Sequence, residues 1–229
     1  MEKTEVLIDT CFVERLTGEG EHIEDFQPIM EALSYSPVVH PYLYEHEFLR
    51  PYQKKLVADG IVSRADYEAS LGPKGSYQWI LYEQYFRVLY RKLKARTEAV
   101  GRKSMEDLPD NADIFTFRSS KSSLGDGHLM TFAILTGMPV ILTEDEDISI
   151  LQEIAKVNIS TDANSLMIYN TKDLILDLAG KEECGIPRKK LKNILKATGN
   201  KDAMPEFQEK WEAANESDNE DEVRKLSKA

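Results

Sequence analysis

Short apolar runs, separated by longer stretches of helical periodicity, constrain this chain more than any other feature. The clearest is Thr4-Glu-Val-Leu-Ile-Asp9, a run of four to five residues that ends on a carboxylate. Brief apolar runs bounded by turn residues read as buried strands. Ser36-Pro-Val-Val-His40 and Pro139-Val-Ile-Leu-Thr143 fit that description, as do residues 157–159 and 166–169. Helical spacing fills the intervals. Residues 22–33 carry Ile23, Phe26, Ile29, Met30 and Leu33 on one stripe, and Pro41 suits the first position of a helix that continues through Glu47 and Leu49. Residues 77–100 place Ile80, Leu81, Tyr85, Val88, Leu89 and Leu93 near helical spacing. Residues 124–135 form another helix, closed by Gly137, and helices are also expected over 148–155, 171–179 and 187–197. Strands alternating with helices predict an α/β fold, a three-layer α/β/α sandwich with a mainly parallel central sheet.

Residues 1–160 are expected to form the main domain, with 50–121 as a polar helical insertion broken at Leu71-Gly-Pro-Lys-Gly75 and at Pro109-Asp-Asn111. Residues 161–200 read as a C-terminal extension packed on that domain. Beyond Asn200 apolar density falls, so residues 201–229 read as a loose helix plus flexible acidic tail. With 41% hydrophobic and 30% charged residues in 229, the chain has the material for a globular core. Cys11 and Cys184 cannot make a disulfide framework, and no Cys/His spacing resembles a zinc site, so a reducing, cytoplasmic setting is expected. The charged N-terminus runs straight into the first strand without a signal peptide, and no apolar run approaches bilayer length.

The net charge of −11 is unevenly spread. Between Glu206 and Glu222 eight acids face Lys210 alone, a local charge of −7. Between Arg87 and Lys103 seven basic residues face Glu98 alone, a local charge of +6. That stretch reads either as a solvated helix face or as a surface that tracks phosphates, with Arg91, Lys92 and Lys94 as the candidate contacts.

In open parallel sheets ligands sit beyond the carboxyl ends of the strands. Asp9 ends the first strand, Glu45 and Glu47 follow the second, and Asp145 and Asp147 follow the strand at 140–143. Asp126 lies in the first turn of the helix before that strand. Taken singly, such acids are accounted for by helix dipoles and turns. Delivered together to one sheet edge they repel each other unless a cation offsets them, and an all-oxygen set suits Mg²⁺ or Mn²⁺.

These residues carry a resemblance to the PIN-domain family of metal-dependent ribonucleases. Val6-Leu-Ile-Asp9-Thr-Cys-Phe-Val13 resembles the family's first motif and Leu43-Tyr-Glu-His-Glu47-Phe-Leu49 its second. Asp126-Gly-His-Leu-Met-Thr-Phe-Ala133 is similar to the third, and Gly137-Met-Pro-Val-Ile-Leu-Thr-Glu-Asp145-Glu-Asp147 to the fourth. The resemblance spans about residues 4–50 and 120–160. It implies that Asp9, Glu47, Asp126 and Asp145 hold the metal, with Asp147 in support, and that the reaction is hydrolysis of RNA. Family analogy adds an antitoxin or other protein as a second class of partner. Glu45 is the alternative to Glu47, since the two would point about 200° apart on a helix and only one can serve.

Among the remaining polar groups, Thr10 and Thr143 are candidates for binding water or phosphate. His128 is expected to face away from Asp126, and Cys11 to be a small buried residue. Trp79, Tyr82, Tyr85 and Tyr90 are divided between core packing and base stacking. Two other functions compete with the nuclease. An aspartyl phosphatase of haloacid-dehalogenase type would need an acid two residues after Asp9, where Cys11 stands. A catalytically silent RNA- or protein-binding module would not require all four acids.

Overall fold

Val6, Leu7 and Ile8 are fully buried in succession, which requires protein on both faces of the strand that carries them. The computed structural model describes residues 3–102, 104–119, 123–160, 163 and 165–226, with side chains as far as residue 215. In it, β1 (Thr4–Ile8) is the middle of a sheet completed by β2 (Tyr35–Val39), β3 (Ser63–Arg64), β4 (Val140–Leu142) and β5 (Met167–Tyr169). The order is β3-β2-β1-β4-β5 and every pairing is parallel. One face is covered by α1 (Thr10–Thr17), α2 (Phe26–Ala32), α9 (Thr171–Ala179), α10 (Arg188–Ala197) and α11 (Met204–Leu226). The other is covered by α6 (Tyr77–Ala99), α7 (Leu124–Thr136) and α8 (Asp147–Asn158). The fold is therefore the expected three-layer α/β/α sandwich. The short helices α3 (Pro41–His46), α4 (Pro51–Ala58) and α5 (Tyr67–Leu71) complete the connection from β2 to α6. No helix among the described residues is long and apolar enough to cross a membrane.

The register aligns the strand ends. Ile8 pairs with both Val39 and Leu142, Val39 with Arg64, and Leu142 with Tyr169. The next residues, Ala65, His40, Asp9, Thr143 and Asn170, therefore form one row across the carboxyl edge. The ladder continues into that row, with the N–H groups of Asp9 and Thr143 donating to the carbonyls of Leu142 and Tyr169 at 2.9 Å each. From β1 the chain steps outward to β2 and β3, then returns through α6 and α7 to β4 on the other side. The strand order thus reverses between β1 and β4, and a parallel sheet opens its ligand crevice at such a reversal.

Several local expectations are corrected. Residues 157–159 are not a strand: α8 continues through Asn158, and Val157 is 84% exposed at its end, so nothing buries an apolar run there. The strand β3 carries no apolar signal because its two residues, Ser63 and Arg64, are both exposed at the sheet edge. Helix α3 stops at His46 instead of running through Glu47 and Leu49. Residues 50–121 are not helical throughout, since beyond Ala99 the described residues 101–119 form turns and irregular chain. On α6 the buried face is Trp79, Tyr82, Phe86, Leu89, Tyr90 and Leu93, while Ile80 and Val88 face outward. The aromatic stripe outweighs the aliphatic one because each ring removes more apolar surface from water. The segment after Asn200 is not loose at its start, because α11 buries Phe207 fully and Trp211 stacks on it. Lys103, Lys121 and residues 227–229 lie outside the described residues.

Between the sheet and α6 lies a buried polar chain whose bonding directions can be assigned throughout. The Tyr42 N–H donates to His40 Nδ1 at 3.1 Å, so the proton of a neutral His40 sits on Nε2 and points to Tyr82 Oη at 3.0 Å. Tyr82 Oη–H then donates to His128 Nδ1 at 2.7 Å, and His128 Nε2–H donates to the Ile114 carbonyl at 3.1 Å. Every donor meets an acceptor only if both histidines are neutral. Burial agrees: it holds the His40 imidazole well below its usual range and lowers His128 to about 3. An imidazole with a depressed folded pKa contributes stability that is complete above its unfolded value of 6.5 and is lost as pH falls below it. Each histidine should therefore cost about 1.4 kcal/mol per pH unit below 6.5. Denaturant titrations between pH 7 and pH 5 should show this decline, set against the opposite trend of the acid cluster, and His40→Gln should make the decline shallower. Tyr82→Phe strands two buried imidazole nitrogens and should cost about 2–5 kcal/mol at pH 7. A loss below 1 kcal/mol would mean that the chain is not closed through Tyr82.

Candidate metal centre

Asp9 follows directly from a buried strand and caps the helix after it. Its Oδ1 accepts the Thr10 N–H at 2.6 Å, and its Oδ2 accepts Thr143 Oγ1–H and Cys11 Sγ–H at 2.7 Å each. Thr143 occupies the matching position after β4, so the two meet across the sheet. Thr143 Oγ1 also accepts the Asp145 N–H at 3.0 Å. Asp145 Oδ1 in turn accepts the Asp147 N–H at 2.8 Å, and Ser123 Oγ–H donates to Asp147 Oδ2 at 3.0 Å. One run of hydrogen bonds therefore passes from β1 through the loop after β4 to the start of α7.

Asp126, in the first turn of α7, faces the same crevice. Carboxylate oxygens of Asp126, Asp145 and Asp147 all lie within 4.8 Å of one another. Oxygen ligands on opposite sides of Mg²⁺ are separated by about 4.2 Å, twice the metal–oxygen distance, so side-chain rotation alone would close this trio around an ion. Asp147, expected to play a supporting part, belongs to this tightest group, and Asp9 and Glu47 stand around it.

Glu47 reaches the cluster by an unusual path. Phe48 is fully buried and pulls the chain out of helical geometry after His46, leaving Glu47 at φ −125°, ψ −36°. Its carboxyl then lies against the backbone of Gly125, where an added Cβ would sit 2.5 Å from Oε1 and 2.9 Å from Oε2. Glu45 points elsewhere and pairs with Arg64 at 2.7 Å on the far side of β2. Glu47 keeps contact with solvent at the mouth of the crevice, yet the protein around its carboxyl is dense.

The electrostatics follow from crowding like charges into a partly dry site. Burial raises Asp126 well above the usual carboxylate range, and Asp9, Asp145, Glu47 and Asp147 reinforce the shift in that order. Glu47 is raised to about 7, first by burial and then by Asp9 and Asp145. Asp9 is also raised by burial, against the opposing pull of its three donors. The Cys11 thiol is pushed up by burial and by the neighbouring Asp9 charge, so it stays protonated as a donor.

The other expected residues take varied places. The Thr10 hydroxyl is buried with no hydrogen-bond partner, while Thr143 is committed to Asp9 and Asp145. On α6, Arg91 pairs with Asp110, and Lys94 pairs with Glu98 at 2.9 Å and Asp107 at 3.2 Å; Lys92 is exposed. Trp79, Tyr82 and Tyr90 are core residues, and His128 does face away from Asp126. Four contributors take parts that the sequence did not indicate. Cys11 is a polar partner of Asp9 and not an inert filler, and Ser123 supports Asp147. Arg102 reaches Glu146 at 2.6 Å and Asp147 at 4.0 Å, and Arg118 lies beside Glu47. Their roles depend on tertiary approach, which spacing along the chain does not encode.

Comparison with protein-family models, with curated proteins and with solved structures found no match.

Gly125 offers a specific test of this geometry. A Gly→Ala change inside a helix ordinarily favours the helix by about 1 kcal/mol. Here the new methyl would push Glu47 off the cluster, at little cost because a carboxyl is the far end of a flexible side chain. Gly125→Ala should leave metal-free thermal stability level or higher while weakening Mn²⁺ binding by about 10–100-fold, the range associated with lost support at metal sites. Calorimetry showing unchanged Mn²⁺ affinity would remove Glu47 from the centre.

Proposed function

We propose that this chain is a PIN-like, divalent-metal-dependent endoribonuclease that hydrolyses RNA phosphodiester bonds at the crevice between β1 and β4. The observation that carries the reading is the convergence of five carboxylates from four segments at the strand-order reversal, three of them within 4.8 Å. Oxygen-only donors of this number and spacing fit Mg²⁺ or Mn²⁺. When bound, such an ion supplies Lewis acidity toward both water and phosphate.

The chain's own residues have separate tasks. Asp126, Asp145 and Asp147 provide the ligand oxygens, and Asp9 fixes their frame through Thr143. Glu47 closes the solvent side, where the RNA backbone would enter. In the net reaction a water oxygen bonds to phosphorus while one ester oxygen leaves and takes up a proton. No protein nucleophile is needed. Asp9 is poorly suited to that role because both its oxygens already accept hydrogen bonds. The same reading places the protein in the cytoplasm, consistent with both cysteines being free thiols.

Asp126→Asn separates catalysis from structural support. It preserves shape, removes one ligand charge and relieves repulsion, so cleavage of single-stranded RNA should be abolished while metal-free stability stays level or rises. Mn²⁺ at one hundred times its dissociation constant should stabilise the wild type by about 2.7 kcal/mol. In a chain of this size that corresponds to roughly 5–10 °C in melting temperature. The variant should gain much less. A wild type inert toward varied RNA with Mn²⁺, together with an Asn variant that only melts earlier, would leave a structural acid cluster in a binding module.

A further inference from the structure

Carboxylates that hold a cation also repel the RNA backbone, so phosphate positioning requires positive charge nearby. On the long helix α6, Arg91 and Lys94 are tied to acids, while Lys92 is exposed. Two arginines border the crevice. Arg102 is engaged by Glu146 and lies 4.0 Å from Asp147. Arg118 has no ion-pair partner among the described residues, and it is exposed.

Arg118 lines a cavity of about 240 Å³ together with Tyr42, His46, Glu47 and Ser119. Glu47 is the wall shared by this cavity and the carboxylate cluster. His46 Nδ1, in the same lining, is buried without a hydrogen-bond partner. The segment that delivers Arg118 is irregular yet firmly held. Arg87 donates to the carbonyls of Pro109 and Ala112, and Tyr90 Oη–H donates to the Glu106 carbonyl at 2.8 Å. His128 bonds the Ile114 carbonyl, and Tyr42 Oη–H donates to the Phe117 carbonyl at 2.9 Å, one residue before Arg118. Met105, Leu108 and Ile114 are buried beneath. A long connection anchored at so many points holds the backbone up to Phe117 in a set place, and loops on rigid scaffolds carry binding residues in this way.

We propose that Arg118 binds a backbone phosphate of single-stranded RNA adjacent to the one held at the carboxylates, making this cavity a phosphate subsite. The inference rests on the metal-dependent ribonuclease reading and adds the residue that sets the strand's path. A guanidinium suits the task because its planar fork bonds two phosphate oxygens at once.

The test compares wild type, Arg118→Ala, Arg118→Lys and, as a remote control, Lys189→Ala, using a fluorescently labelled oligouridylate and Mn²⁺. Arg118→Ala should raise KM about tenfold with a smaller change in kcat. It should also reduce the slope of log affinity against log salt by about 0.7, the value for one lost single-strand phosphate contact. Arg118→Lys should restore the slope but only part of the affinity. Mn²⁺ affinity measured without RNA should be the same in all four proteins, which a general loss of folding would not allow. A wild type that binds and cleaves the oligonucleotide, with Arg118→Ala matching its KM and salt slope, would overturn this inference alone. A wild type that neither binds nor cleaves RNA would overturn both it and the ribonuclease reading.

Discussion

Asp126 is only 9% exposed and faces four other carboxylates, and the architecture around it is organised by that repulsion. Two like charges about 4 Å apart near a protein surface repel by roughly 4 kcal/mol, comparable with a large part of a domain's net stability. The chain offsets this without a full complement of lysines or arginines. Asp9 receives a backbone N–H, a hydroxyl and a thiol; Asp145 and Asp147 are linked through a backbone N–H; Glu47 and Asp126 retain protons more readily than ordinary acids. Each device reduces repulsion, and among the described residues the cation paired with these acids is Arg102, 4.0 Å from Asp147. A divalent cation would supply compensating charge directly.

The sheet edge that gathers these acids was legible in the sequence where apolar runs are buried on both faces. Residues 6–8 and 140–142 have no polar interruption, so β1 and β4 could be placed along with the carboxylates beyond them. Legibility failed where short-range pattern and tertiary burial diverge. Val157 and Ile159 have strand-like composition but cap a helix whose buried side is Leu151, Ile154 and Ala155. Ser63 and Arg64 form a strand only because β2 offers its free edge. The choice between Glu45 and Glu47 could not be made by helical phase, because the decisive event is the burial of Phe48, which ends the helix between them.

The positive side of the site was the least legible part. A run of basic residues on one helix suggested an RNA-binding face, but spacing along a helix says nothing about which acids fold back on it. Asp107 and Asp110 return from the following connection to neutralise Lys94 and Arg91. The same connection carries Arg118 past them to the crevice. A segment that sequence reading took for part of a helical insertion therefore redistributes charge, pairing Arg91 and Lys94 on α6 and presenting Arg118 in the cavity that Glu47 lines.

Helix α7 keeps the core side of the acids uncharged. Asp126 and His128 lie two residues apart, about 200° around the helix, so one faces the carboxylates and the other the buried polar chain. A protonated His128 would put an internal cation on the same helix as Asp126. The bonding pattern through His40 and Tyr82 forbids it, since each imidazole has one nitrogen committed as an acceptor. Phe86 packs against the same ring at 4.2 Å, and glycine at 127 leaves room for it, since a Cβ there would sit 3.0 Å from the Phe86 ring. The core behind the acids is thereby buried, aromatic and neutral. Among the described residues, the positive charge near the acids comes from the rim, from Arg102 beside Asp147 and Arg118 in the cavity that Glu47 lines.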